Sequence, residues 1–158
     1  MNHTIGISEM KLSNSRDDIL VTYSLGSCVG LSLYDSISRI GGLIHCMLPL
    51  STIDPEKART SPCMFTDTGI TALLQAIFNM GAVRNRLIAK VAGASSLLDE
   101  KGLFKIGERN YTVLRKILWK NNILIAGEDI GGCTSRTMYL YIATGRTIIK
   151  SGGVEKEI

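Results

Sequence analysis

Four strand-like segments follow one another in the first third of the chain, and only short polar turns separate them. Apolar and turn residues place these segments at residues 4–9, 19–23, 28–34 and 40–48. Parallel neighbours in a sheet need a long crossover, usually a helix, whereas antiparallel neighbours need only a short turn. The chain is therefore predicted to form a mixed or antiparallel sheet and not a doubly wound parallel one.

The remainder of the sequence adds two amphipathic helices and four more strands. The helices are predicted at residues 67–80 and 108–120, where apolar residues recur at helical spacing. The strands are predicted at residues 86–93, 123–127, 137–143 and 146–150. Residues 51–64 carry mixed charge and two of the three prolines, so they are predicted to be an exposed loop.

Length and composition fit one domain, residues 1–158, with a polar tail from Ser151 that is expected to fray. No apolar run approaches the ~20 residues of a membrane span, and residues 1–11 lack the features of a signal peptide. A cytoplasmic protein without membrane insertion is therefore predicted, with its four cysteines reduced. The net charge of +4 comes without a Lys/Arg run, so no binding to nucleic acid is expected.

Cys28 and His45 lie on the two strands of one predicted hairpin. If that hairpin is centred between Ser36 and Ile37, Cys28 lies directly opposite His45. Directly opposed residues have Cβ atoms about 4.5–5.5 Å apart. In this register Cys28 and His45 share a face with small residues such as Gly30, so that face is predicted to leave room for another molecule.

A cysteine beside a histidine can act as a nucleophile. A neighbouring imidazolium lowers the pKa of a thiol and makes thiolate available, and the histidine can later protonate a departing amine. Thr22 is a candidate for orienting the imidazole, and the bend at Gly26 and Ser27 offers backbone N–H groups to a developing oxyanion. A strand cysteine can equally be a small core residue, so the pattern by itself leaves both interpretations open.

Two segments around these residues resemble the chemoreceptor glutamine deamidases, the CheD family of chemotaxis proteins. They are residues 21–29, VTYSLGSCV, and residues 41–49, GGLIHCMLP. Further matches in the family's order are FTDT at 65–68, KVAG at 90–93, IGERN at 106–110 and EDIGG at 128–132. Two departures are GASSL at 93–97, where the family usually reads Gly-Gly-Ala-Ser-Met, and Cys133, where it often has Asn.

The resemblance implies a fold, a reaction and a set of partners. The fold would be an α/β (α+β) layered sandwich, a mixed, largely antiparallel sheet flanked by helices, similar to the catalytic domains of glutamine-deamidating toxins. The reaction would be hydrolysis of glutamine side chains on chemoreceptor cytoplasmic domains through a cysteine thioester, with no metal or other cofactor. A CheC-type phosphatase would be a further partner, and the chain would be a monomer or part of a heterodimer.

The same resemblance assigns roles to individual residues. It makes Cys28 the nucleophile, His45 its base and Thr22 the group that orients the base. Candidates for the substrate groove are Ser24, Gly93 and Ser95.

Other functions are compatible with these residues. A docking partner of chemoreceptors or of a phosphatase would not need Cys28 at all, and a peptidase or acyltransferase would use the same thioester chemistry. A zinc site built from His45, Cys46, Cys63 and Cys133 is disfavoured, because the chain has no Cys-x-x-Cys pair and adjacent strand residues point to opposite faces.

Several polar residues have simpler interpretations. Asp67 is interpreted as the cap of the first helix, and residues 108–110 as the cap and solvated face of the second. Asp129, beside Gly131 and Gly132, is interpreted as a turn-forming acid.

Overall fold

The computed structural model describes residues 1–96 and 105–158. Its strands are β1 Asn2–Thr4, β2 Glu9–Ser13, β3 Ile19–Leu25, β4 Val29–Asp35, β5 Ile40–Cys46, β6 Leu87–Gly93, β7 Ile125–Ile130, β8 Arg136–Tyr141, β9 Thr147–Ser151 and β10 Val154–Glu157. Its α-helices are α1 Pro55–Thr60, α2 Thr66–Asn79 and α3 Ile106–Lys120. Within these described ranges no helix has the length and apolar character needed to cross a membrane.

The strands form two five-stranded sheets. The first sheet has the order β1-β3-β8-β9-β10, and the second has the order β2-β5-β4-β6-β7. Strands β1 and β3 are parallel, as are β6 and β7, while the other pairings in the described residues are antiparallel. The predicted mixed, largely antiparallel α/β sandwich is thus confirmed, with two sheets where the sequence suggested one.

Two apolar cores separate three layers. One core lies between the sheets and includes Leu25, Leu43 and Met138, and the other lies between the second sheet and helices α2 and α3. Strands β4 and β5 have one core on each face, so every one of their residues is buried. Strands covered on both faces lose the apolar–polar alternation of a half-exposed strand.

The register of the β4–β5 hairpin differs from the predicted one by two residues. Gly30 pairs with His45, so the hairpin centre lies between Ile37 and Ser38. The Asp35 carboxylate accepts hydrogen bonds from the N–H groups of Ile37 and Ser38, the two central residues of the turn, at 3.0 and 3.3 Å, which stabilises the turn at this position. A shift of two residues preserves the faces, so Cys28 remains on the same side of the hairpin as His45.

The two ends of the chain also differ from the prediction. The strand predicted at residues 4–9 is instead the connection between two strands of different sheets, because β1 ends at Thr4 and β2 begins at Glu9. The chain turns in this connection at Ser8, whose φ is 65°. The tail expected to fray from Ser151 includes β10, which pairs with β9 at the edge of the first sheet. Strand β10 follows β9 through the two-residue turn Gly152-Gly153, a hairpin signal that was available in the sequence. The partners of β1 and β2 lie farther along the chain, where local pattern does not reveal them.

The predicted loop at residues 51–64 is exposed over most of its length but contains the short helix α1. Asp54 caps this helix by accepting from the Lys57 N–H, and Pro55 occupies its first position. An Asp-Pro pair is a helix start signal, and it was available in the sequence. Asp67, expected to cap α2, instead accepts hydrogen bonds from the N–H and hydroxyl of Ser51 and secures this segment against α2.

Candidate active site

Cys28 lies in the bend between β3 and β4 and is half-buried. It directly precedes β4, and the N–H of Ala94 donates to its carbonyl at 2.8 Å. Since Gly30 is the residue opposite His45, Cys28 is a diagonal neighbour of the histidine and not its direct partner. Diagonal neighbours have Cα atoms about 7–8 Å apart, and the Cys28 thiol forms no hydrogen bond with His45 Nε2.

His45 and Thr22 join the two sheets through a hydrogen bond. The Thr22 hydroxyl is 2.7 Å from His45 Nδ1 and 2.8 Å from the carbonyl oxygen of Ile5. A carbonyl oxygen can only accept, so the single hydroxyl proton goes to Ile5 and the Thr22 oxygen accepts from Nδ1–H. A neutral His45 therefore carries its free lone pair at Nε2. That nitrogen is buried and has no hydrogen-bond partner among the described residues.

The face shared by Cys28 and His45 is closed, contrary to the predicted open face. His45 is fully buried, and a side chain at Gly30 would come within 2.9 Å of Leu25 and Met138 from the opposite sheet. Because Gly30 has no side chain, the side chains of Leu25 and Met138 from the first sheet pack directly against its backbone. Access to the site is therefore at the end of β4, where Cys28 is half-buried.

Burial sets the protonation of both groups. It lowers the pKa of His45 to about 4. It also raises the pKa of the Cys28 thiol, an effect that a hydrogen bond from the residue's own backbone N–H partly offsets. The charged forms are the ones that burial penalises. Both shifts favour a neutral thiol and a neutral imidazole near pH 7 over the thiolate–imidazolium pair expected from the sequence.

These pKa shifts predict the pH dependence of Cys28 alkylation. Because the thiolate is the reactive form, the rate with iodoacetamide should rise by about tenfold per pH unit from neutral pH to beyond pH 9, without an acidic plateau. The rate is followed by mass spectrometry of the Cys28 peptide in a Cys133→Ala background, which removes the exposed cysteine. A constant rate between about pH 6 and about pH 8 would instead indicate an ion pair.

The bend before Cys28 is held on several sides. The N–H of Ser95 donates to the carbonyl of Gly26 at 2.9 Å, and the Asn110 side chain donates to the carbonyl of Ser27 at 2.9 Å. Ser95 itself is buried, and its hydroxyl has no partner among the described residues. The carbonyls of Gly26 and Ser27, the predicted oxyanion candidates, thus both accept hydrogen bonds from residues outside the bend.

Asn110 is the site residue that the sequence interpretation missed. It was assigned to a solvated helix face but is fully buried on α3. The available signal was its residue type, because asparagine is unfavourable inside a helix unless its side chain has a specific partner.

The predicted groove residues Ser24 and Gly93 occupy different environments. Ser24 is exposed at an irregularity of β3, with φ of 60°. Gly93 is buried at the end of β6 with φ of 104°, and a Cβ there would lie 2.3 Å from the carbonyl oxygen of Cys28. Its glycine is thus required for close backbone approach. Of the two departures from the family pattern, Leu97 lies outside the described residues and Cys133 is exposed.

Asp129 is part of β7 and not of a turn. It forms an ion pair with Arg136, at 3.2 Å, and another with Lys156. Arg136 is nearly buried and also donates to the carbonyls of Gly93 and Gly131. This pair therefore fixes the backbone at the end of β6, next to the bend that carries Cys28.

The cysteines form neither a disulfide nor a metal site in the described part of the chain. All four are free thiols, Cys46 and Cys63 being buried and Cys133 exposed. No group of three or more His, Cys, Asp or Glu side chains within residues 1–96 and 105–158 is arranged to hold a metal ion.

Comparison with known proteins gives consistent matches. The family described as CheD chemotactic sensory transduction matches residues 47–151. A probable chemoreceptor glutamine deamidase CheD of Solibacter usitatus is 49% identical over 154 residues, which cover 98% of this chain and 91% of that protein. A protein of the same description from Syntrophus aciditrophicus is 48% identical over 149 residues, 94% of this chain and 93% of the relative. A more distant relative with this description, from Pyrococcus horikoshii, is 38% identical over 90% of this chain and 87% of its own.

Similarity to solved structures is weaker. The Bacillus licheniformis protein YfiH aligns with a TM-score of 0.49 and 14% identity over 77% of this chain and 49% of its own. The sequence relatives assign the family, because they cover 90–98% of this chain at 38–49% identity. The chain belongs to the CheD family of chemotactic sensory transduction proteins.

Proposed function

We propose that this protein deamidates glutamine side chains of chemoreceptors, with Cys28 as nucleophile, His45 as base and Thr22 as the group that orients His45. The observation that carries the proposal is the unpartnered Nε2 of His45, a lone pair held by the Thr22 hydrogen bond on the face of the hairpin that Cys28 shares. The names of the relatives support the reaction and the substrate class.

The first half of the reaction forms a thioester. As the Cys28 sulfur attacks the carboxamide carbon, His45 Nε2 takes the thiol proton, so no thiolate needs to exist beforehand. The amide oxygen becomes an oxyanion that accepts hydrogen bonds from N–H groups of the bend. His45 then gives its proton to the departing ammonia.

The second half of the reaction releases glutamate. His45 Nε2 takes a proton from water, the hydroxide adds to the thioester carbon, and the C–S bond breaks as the sulfur regains a proton from His45. Throughout, Thr22 can stabilise the imidazolium by accepting from Nδ1–H, because its own proton is committed to Ile5. Cys28, His45 and water carry every proton, so the scheme requires no cofactor.

The proposal includes a location and partners. Four free thiols and the chemotactic family support a cytoplasmic protein that meets the cytoplasmic domains of receptors. A CheC-type phosphatase remains an expected partner from the family resemblance.

The function is tested by incubating the purified protein with a chemoreceptor cytoplasmic domain and following glutamine-to-glutamate conversion by peptide mass spectrometry. Ammonia release, measured in the same reactions, should match the glutamate formed. A receptor domain that binds the protein and yet gains no glutamate would favour the docking function instead.

Thr22→Val is expected to reduce kcat by roughly 10- to 100-fold, as for groups that orient metal-binding imidazoles. Valine keeps the shape of threonine but cannot accept from Nδ1–H, so the tautomer with a free Nε2 loses its support. Thr22→Ser, which keeps the hydroxyl, is the matched control and should retain most of the activity. Equal rates for the valine and serine variants would remove Thr22 from the mechanism.

A further inference from the structure

The carboxamide of Asn110 joins the two segments that carry Cys28 and His45. Its Nδ2 donates to the carbonyls of Ser27, at 2.9 Å, and Met47, at 3.1 Å. Its Oδ1 accepts from the hydroxyl of Thr66 at 3.0 Å. Carbonyl oxygens can only accept, so the two carbonyls determine which way the amide is oriented.

This amide belongs to a set of contacts that holds three consecutive carbonyls of the bend. The carbonyl of Gly26 accepts from Ser95 N–H and that of Cys28 accepts from Ala94 N–H, at 2.9 and 2.8 Å. The carbonyl of Ser27, between them, accepts from the Asn110 side chain. Of these three carbonyls, that of Ser27 is the one whose donor is a side chain. A substitution of Asn110 can therefore release it while the backbone donors to the other two stay in place.

A fixed carbonyl also fixes the N–H that follows it. In a trans peptide the C=O and the next N–H point in opposite directions within one plane. Because Asn110 draws the Ser27 carbonyl toward α3, the Cys28 N–H must point away from α3. The N–H and the sulfur belong to the same residue, so this N–H lies beside the position where the sulfur would bond to a substrate carbon and where the oxyanion would form.

We propose that Asn110 is a positioning residue that orients the Cys28 N–H toward the oxyanion formed during attack by the thiol. The proposal rests on the proposed function for its chemical meaning. Thr66 extends the same device, because its hydroxyl holds the Asn110 oxygen and leaves both amide hydrogens for the two carbonyls. Both residues are fully buried, as a fixed donor requires.

Asn110→Ala and Thr66→Val test this role, with Thr66→Ser as the conservative variant. Thr147→Val is the matched control, because Thr147 is also a fully buried threonine whose hydroxyl meets one side chain, Ser32, at 3.1 Å. Displacing a donor from the reacting atoms costs about 10²-fold in rate. We expect Asn110→Ala to lower kcat by about that factor with KM within about twofold, and Thr66→Val by about tenfold. Thr66→Ser and Thr147→Val should remain close to the wild type.

Alkylation separates the oxyanion donor from the nucleophile itself. Iodoacetamide reacts with the thiolate without forming an oxyanion, so the rate of Cys28 alkylation in Asn110→Ala should fall far less than kcat, and only because displacement of the N–H raises the pKa of the thiol. If alkylation falls as much as kcat, Asn110 supports the thiol and the proposed role is wrong. A kcat loss in Thr147→Val as large as in Thr66→Val would also overturn it, since general loss of packing would then explain both.

A readout without substrate distinguishes this proposal from the proposed function. Selective ¹⁵N-cysteine labelling gives one backbone amide signal for each of the four cysteines. The Cys28 signal should shift in Asn110→Ala and Thr66→Val and stay in place in Thr147→Val. An unchanged Cys28 signal in Asn110→Ala refutes the positioning role, even if the enzyme is active. A wild type that deamidates no receptor refutes the proposed function instead, and the Cys28 signal then still tests whether Asn110 orients the Cys28 N–H.

Discussion

Cys28→Ala is expected to abolish deamidation, with a loss in kcat on the order of 10⁴-fold or more. Alanine removes the sulfur that forms the thioester, and the oxyanion donors and His45 cannot replace a covalent step. Cys28 lies in a bend and is only half-buried, so alanine should leave the fold intact. Conversion of receptor glutamines, followed by mass spectrometry in wild type and variant, measures the loss.

Two further cysteine variants serve as controls for this result. Cys133→Ala removes an exposed thiol and should have no effect on the rate, whereas Cys28→Ser keeps the size of the side chain and should be nearly as inactive as Cys28→Ala. Serine fails because its hydroxyl is a far weaker acid than a thiol. If Cys28→Ala converts glutamine as fast as the wild type, the assigned active site is wrong.

Asp35→Asn is expected to destabilise the folded protein by about 3–5 kcal/mol at neutral pH. The Asp35 carboxylate is fully buried and accepts from the Arg86 guanidinium, at 2.9–3.1 Å, and from the N–H groups of Val83, Ile37 and Ser38. Asparagine keeps the shape of the side chain but removes its charge. Its NH2 group would also replace one of the two oxygens that accept these hydrogen bonds and so leave donors without an acceptor. Urea unfolding monitored by circular dichroism gives the difference in free energy of unfolding.

The same residue predicts a pH dependence of stability. Burial by itself raises the pKa of Asp35, but the hydrogen bonds from Arg86 and the three N–H groups outweigh it and hold that pKa well below its ordinary value. A lowered folded-state pKa contributes stability above the unfolded pKa of about 3.9, and this contribution is lost as the pH falls further. The difference between wild type and Asp35→Asn should therefore be full at neutral pH and shrink below about pH 4.

Glu157→Gln is the control for Asp35→Asn, because the Arg146–Glu157 ion pair is about half exposed on both sides. Such a pair contributes less than about 1 kcal/mol. Similar losses in the two variants would show that burial does not set the contribution of Asp35.

Local sequence pattern was sufficient for the elements whose signals repeat along the chain. Helix α2 begins at Thr66 and ends at Asn79, one residue from each predicted end, because helical spacing and the flanking turn residues are local signals. The shared face of Cys28 and His45 was also predictable, since strand alternation depends only on whether residue numbers are odd or even in the pairing. The family resemblance added Thr22, which the pattern alone could only suggest.

Only the tertiary structure decided what surrounds those residues. The predicted open face is the core between two sheets, because strands far apart in sequence, such as β4 and β8, meet across it. That burial makes His45 a neutral base, since the charge of an imidazolium is penalised where water is excluded. Asn110 acts on Ser27 across 83 positions of sequence, a contact that no local pattern encodes. The sequence alone determined which chemical groups are available and on which face they lie, whereas the packing of sheet on sheet and helix on sheet decided their protonation, their partners and the direction from which a substrate can reach them.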